Sequence, residues 1–203
     1  MPTKTPTACR GRPCSFDKDE ALGKALELFW KNGYEGTSLT DLTTVMGINK
    51  PSLYAAFGNK EQLFLQAIDL YEKRPEAYFY SAMQKKTAYL VTQAMLRGAA
   101  ERMANADHPQ GCVIVQGALS CSDASATIKE ALIVRRREGQ LALQRRFEKA
   151  QQDGDLPQHV NVATLSSYIG TVLQGMSVQA NNGASVEDLY AVADMVLDNF
   201  PKS

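Results

Sequence analysis

Apolar residues recur every three to four positions along almost the whole chain, while the strict alternation that a half-buried strand needs is short and scattered. The pattern predicts an all-α protein. Its first apolar stripe, Leu22, Ala25, Leu26, Phe29 and Trp30, follows Asp17, which can cap a helix with Glu20 three residues on, and it stops at Asn32-Gly33. Ser38 opens a second, short helix by offering its hydroxyl to the amide of Thr40 or Asp41. That helix buries Leu39, Leu42, Val45 and Met46 before Gly47 ends it. Asn49 caps a third helix, in which Pro51 is tolerated because first-turn N–H groups have no intrahelical partner, and Leu53, Tyr54 and Phe57 point inward. Gly58 closes it. Asn59 with Gln62 opens a fourth, carrying Leu63, Phe64, Ala67, Ile68 and Tyr71. Further helices are expected near 76–86, 88–105, 112–119, 125–152, 161–181 and 185–199, with breakers at His108-Pro109-Gln110-Gly111, Asp153-Gly154-Asp155-Leu156-Pro157 and Asn181-Asn182-Gly183.

Three regions emerge. Residues 1–14 are polar, rich in Pro, Thr and Arg, and lack an apolar period, so they read as a basic flexible arm. Residues 15–74 hold the four helices just described, Pro75 marks the boundary, and residues 75–203 form a larger helical part. Charge changes this picture little, because basic and acidic residues balance at 22 each, with eight basic against six acidic in residues 1–60. No stretch approaches the roughly 20 apolar residues that cross a bilayer, and Met1-Pro2-Thr3-Lys4 lacks the apolar core of a signal peptide, so a cytoplasmic protein without a membrane partner is expected. Cys9, Cys14, Cys112 and Cys121 would be reduced thiols there. They form no paired C-x2-C framework, and no phosphate loop or nucleotide fingerprint is present, so neither metal nor cofactor is expected.

The two short helices around Gly47-Ile48-Asn49, preceded by a longer one, have the spacing of a helix-turn-helix, although any small bundle can show the same spacing. The residues say more. The run from Gly33-Tyr34-Glu35-Gly36-Thr37-Ser38-Leu39-Thr40-Asp41-Leu42, followed by Met46 to Glu61 with its Leu53-Tyr54-x-x-Phe57 and Lys60-Glu61, closely resembles the DNA-binding domain of the TetR/AcrR transcriptional regulators over residues 10–72. The resemblance implies an N-terminal three-helix helix-turn-helix DNA-binding domain plus a larger C-terminal effector-binding and dimerisation domain. It also implies a homodimeric repressor that binds double-stranded operator DNA and is released by a small-molecule or reactive effector. Carried over residue by residue, it places Ser38 and Thr40 at backbone phosphate, aided by free amides and the helix dipole. Lys50, Pro51 and Ser52 fall at the start of the reading helix, with Lys50 and Ser52 on base edges and Ala55 and Ala56 small enough for thymine methyls. Tyr54 and Lys60 would reach phosphate. Arg10 and Arg12 resemble the basic arm that precedes this domain in many relatives and would suit a narrow minor groove.

Beyond residue 75 the resemblance thins to helix count and the final helix pair. Leu165, Ile169, Val172, Leu173 and Met176 form one stripe, while Tyr168, Gly170 and Gly175 keep the opposite side apolar or small, so this helix must bury more than one face. In the family the last two helices pair with their twofold mates, which makes Tyr168, Ile169, Val172, Met176, Leu189 and Val196 the expected dimer contacts. Tyr78, Phe79 and Met95 suit either an adaptable effector pocket or ordinary core. Arg135-Arg136-Arg137, with Glu138 nearby, reads as a solvated face. Cys112 with His108 could suggest a thiol enzyme, but no orienting third group or oxyanion site is apparent, so no catalytic residue is assigned. Gly111-Cys112-Val113-Ile114 resembles a segment found in part of the family, some members of which sense reactive species through cysteine. A thiol at a helix start has its thiolate favoured by free amides, and Cys121 could serve as a second thiol. The alternative is that Cys112 packs as a small apolar residue.

Overall fold

Each helix of the N-terminal part begins on a side chain that satisfies its orphan amides. The computed structural model describes residues 16–74, 78–120 and 125–201, so Cys9, Arg10, Arg12, Cys14, Pro75 and Cys121 lie outside the described residues. Asp17 accepts from the amides of Asp19 and Glu20 to start α1 (Lys18–Asn32). Ser38 and Asp41 form a reciprocal capping box on α2 (Leu39–Met46), and Gly47, at φ 67°, takes the left-handed conformation that ends it. Asn49 accepts from the Ser52 amide at the start of α3 (Lys50–Phe57), and Asn59 with Gln62 boxes α4 (Lys60–Lys73). The remaining helices are α5 (Tyr78–Met83), α6 (Ala88–Met103), α7 (Val113–Ser120), α8 (Ala126–Gln152), α9 (Val162–Asn181) and α10 (Val186–Asp198). Among the described residues all regular structure is helical.

Two apolar cores result. In the first, Leu26 and Phe29 of α1 face Phe64 and Ile68 of α4, with Phe29 and Phe64 edge to face at 5.0 Å, and Leu42, Leu53 and Phe57 close the far side. This core does not stop at residue 74: Val113 and Ile114 of α7 and Ile128 and Leu132 of α8 are buried in it. The second core lies between α6, α8, α9 and α10, around Met95, Leu96, Leu143, Phe147 and Phe200. Full burial of each such side chain contributes about 1.5–3 kcal/mol.

Three sequence expectations need correction. Val45 and Tyr54 are exposed rather than buried. In these two-turn helices the inward positions are Leu42 with Met46 and Leu53 with Phe57, each four apart, and a residue adjacent to one of them is turned about 100° away. Ile169, Met176, Leu189 and Val196, expected at a subunit interface, are buried inside the second core of the single chain, and Val172 is half-buried against it. The outward faces of α9 and α10 instead present Tyr168, Val178, Val192 and Met195, of which Met195 is 67% exposed. A helix apolar on two sides gives its more continuous stripe to its own chain, and spacing alone does not say which stripe that is.

Close backbone approach decides how α5 seats. A Cβ on Gly98 of α6 would meet the Tyr78 Cβ at 2.6 Å, whereas one on Gly139 of α8 would meet only Phe79 ring carbons at 3.8 Å and beyond. Gly98→Val is therefore expected to lower the unfolding free energy by about 1–3 kcal/mol through overpacking. Gly139→Ala should raise it by about 0.5–1 kcal/mol through helix propensity. Denaturant midpoints of the two variants, read at constant slope, check the opposite signs.

Candidate nucleic-acid interface and internal cavity

The outer side of α3 carries the residues expected to read bases. Lys50, Pro51 and Ala55 are exposed, Ser52 is half-buried, and Tyr54 is 48% exposed, with its ring outside the core. Ala56 is half-buried and packs against the first core, which leaves Ala55 as the open small residue of the pair. At the start of α2 the Ser38 hydroxyl donates to Asp41 Oδ2 at 2.6 Å and accepts from the Asp41 amide at 3.1 Å. These bonds hold the Asp41 carboxyl below its usual range, the hydroxyl contributing most and the Ser38 amide next. The Ser38 hydroxyl is thus spent inside the capping box, and Thr40 is the exposed hydroxyl at that helix start. Lys60 does not extend freely: its Nζ lies 4.4 Å from the Tyr34 ring centroid. Partial burial lowers its affinity for the proton, against the opposing pull of Glu35.

A half-open cavity of about 430 Å³ lies between α4, α5, α6, α7, α8 and α9. Tyr78, Phe79, Met95 and Cys112 all line it, so three separate stretches of the sequence meet at one place. Cys112 sits just before α7: its carbonyl accepts from Gln116, and its amide donates to the Ser177 hydroxyl of α9 at 2.9 Å. Its thiol lies against the hydroxyl of Tyr71 from α4. Burial first, and that neighbour second, hold the Tyr71 phenol well above its ordinary range, and the Tyr78 phenol is raised in the same way. Two neutral phenols therefore face one thiol.

Arg102, 7% exposed in the last turn of α6, also lines the cavity. Its guanidinium lies 4.5 Å from the Tyr71 ring centroid and 5.8 Å from that of Trp30. His108 stacks on Trp30, with ring centroids 4.6 Å apart, and its Nδ1 is 3.0 Å from the Pro109 carbonyl oxygen. No bond joins His108 to Cys112 among the described residues, so a thiol–imidazole pair is not assembled. Sequence reading missed Arg102, although its place seven residues after Met95 puts a charge on the buried side of α6. It also missed Arg135. Far from being a solvated face, Arg135 of α8 clasps Asp69 and Glu72 of α4, and these bonds and charges oppose the burial that would otherwise weaken its hold on the proton.

The family profile described as bacterial regulatory proteins, tetR family, matches residues 21–67, and the profile described as tetracyclin repressor-like, C-terminal domain, matches residues 92–190. The chain is 35% identical to the HTH-type transcriptional repressor ComR of Escherichia coli K12, with 95% of this chain and 93% of ComR covered. It is 30% identical to the repressor BdcR of the same organism, with 96% and 94% covered. Among solved structures it is similar to a cysteine mutant of the TetR family regulator CifR in complex with a 26-bp operator, at TM-score 0.90 and 36% identity, covering 94% of this chain and all of that one. Both halves of the fold thus match one family across nearly the full length, and the chain belongs to the TetR family of DNA-binding transcriptional regulators.

Proposed function

We propose that this protein is a cytoplasmic, homodimeric repressor that holds a pseudo-palindromic operator until an effector enters the cavity behind Cys112. The observation that carries this reading is the cavity's position. Its wall includes Tyr71 and Glu72 of α4, and Tyr71 is also a buried member of the first core, so its occupancy bears directly on the element that seats α1 to α3. The relatives ComR and BdcR are named repressors, and CifR is bound to operator DNA. Release follows if the occupied cavity favours a shape in which the two reading helices no longer match successive major grooves. Among the described residues no helix is long and apolar enough to cross a membrane.

On DNA, Lys50, Pro51, Ser52 and Ala55 meet base edges, while Thr40, Tyr54, Lys60 and the free amides at the start of α2 meet phosphate. Ala56 serves mainly to pack the reading helix. Lys60→Ala should weaken binding to all duplexes alike and lower the salt slope by about one contact per protomer. Lys50→Ala should relax sequence preference at constant salt slope. Fluorescence anisotropy across a salt series, on the operator and on scrambled duplexes, separates the two effects, and parent-like behaviour of both variants would remove these groove assignments.

Dimerisation uses the outward faces of α9 and α10, around Tyr168, Val178, Val192 and Met195. Met195→Arg is expected to give a folded monomer by sedimentation equilibrium. Ile169→Arg should instead unfold the chain, because it buries an unpaired charge in the second core at a cost of several kcal/mol. A dimeric Met195→Arg protein with parent affinity would move the interface elsewhere.

Cys112 is the sensing thiol, reached through the cavity by an electrophile, an oxidant or a soft metal ion. Tyr71, against its sulfur, transmits the change to α4. Peroxide, an alkylating electrophile or Cu(I) should release the parent from its operator and leave the Cys112→Ser variant bound, as read by electrophoretic mobility. Equal release of both proteins under every treatment, or release of neither, would leave a noncovalent ligand as the signal.

A further inference from the structure

Given that this cavity is the effector site, we infer that it also recognises an organic anion: a small molecule with a carboxylate on an apolar, aromatic-sized body, held by Arg102. A guanidinium stays charged at any physiological pH and carries five donors in a planar fork that matches a carboxylate. Arg102 is 7% exposed, yet among the described residues its guanidinium has no acidic partner and no hydrogen bond. It lies against the rings of Tyr71 and Trp30. The ion pairs among the described residues use other side chains: a neighbouring arginine of the cavity wall, Arg135, is already committed to Asp69 and Glu72. Ring quadrupoles and the C-terminal dipole of α6 offset part of the desolvation of Arg102, but neither fills its donor fork. The wall also carries Glu72, which is paired with Arg135, and Arg136 and Glu138, but Arg102 is the largely buried cation there whose donors are unfilled; it selects an anion, and Phe79, Met95 and Leu173 supply the surface for its apolar body.

The same geometry gives the ligand a route to α1 and α4. A carboxylate that engages the fork draws the guanidinium toward the cavity and off the rings of Trp30 and Tyr71, which belong to those two helices. Binding and signalling then share one side chain, and Trp30, the only tryptophan of the chain, reports it directly.

The test titrates the full-length parent with phenylacetate, 4-phenylbutyrate and 6-phenylhexanoate and with the primary amide of each, which keeps the shape and removes the charge. Binding is read from Trp30 fluorescence and by calorimetry. At least one acid is expected to bind tenfold or more tightly than its amide, with a change in Trp30 emission. Arg102→Met should reduce that preference below threefold while Arg102→Lys retains part of it, and both variants should still bind operator without ligand. Equal affinity for acid and amide in the parent, no binding at any of the three chain lengths, or an undiminished preference in Arg102→Met would each overturn the anion site. If Arg102→Met fails to fold, the acid–amide comparison in the parent and the Arg102→Lys variant decide. If the acids bind through Arg102 but operator affinity is unchanged, the anion site stands and the assignment of the cavity as the effector site fails.

Discussion

Helix α4 serves the first core and the cavity wall at once. Leu63, Phe64, Ala67 and Ile68 point into the packing that seats α1, α2 and α3, while Tyr71 and Glu72 form part of the wall of the internal cavity. Tyr71 belongs to both, and a protein interior at crystal-like density does not deform smoothly, so α4 cannot shift at its cavity end without moving the packing of the first core. The ion pairs of Arg135 to Asp69 and Glu72 tie the same end to α8, and the stack of Arg102, Tyr71, Trp30 and His108 ties it to α6 and α1. The reading surface and the cavity wall are therefore mechanically one unit.

That union explains why the first core recruits Val113, Ile114, Ile128 and Leu132 from beyond residue 75. A four-helix unit of about 60 residues buries a small share of its surface and is marginal by itself. Borrowed side chains from α7 and α8 add to its stability, and they also make that stability depend on how α7 and α8 are placed. The second core, by contrast, is filled from within residues 82–200, and its helices keep their own outward faces free.

Much of this was legible in the chain itself. Asp17, Ser38, Asn49 and Asn59 announce helix starts because their short side chains can reach only nearby amides, and each was found capping the helix expected of it. Periodicity gave the ten segments within a few residues for the same reason, since it depends on local geometry. What could not be read depends on distant partners. Ile169 and Tyr168 are adjacent and both apolar, and only the arrival of α6 and α8 decides that Ile169 turns inward. Arg135 looked solvated because Asp69 and Glu72, its partners, are more than sixty residues away. The gathering of Tyr78, Met95, Arg102 and Cys112 around one space is a property of the assembled fold.

The length of α8 sets a scale for how little movement matters. From Arg135, where the helix grips α4, to its end at Gln152 is about 26 Å at 1.5 Å per residue. A swing of about 7° around that far end would carry the grip sideways by about 3 Å, close to the rise of one base pair along a duplex strand. Two reading helices have to sit one turn of the double helix apart, about 34 Å, to enter successive grooves together. On the proposed release mechanism the helix is a crank arm, and a change in tilt too small to disturb a single side-chain rotamer near its pivot is enough to put two such helices out of phase with DNA.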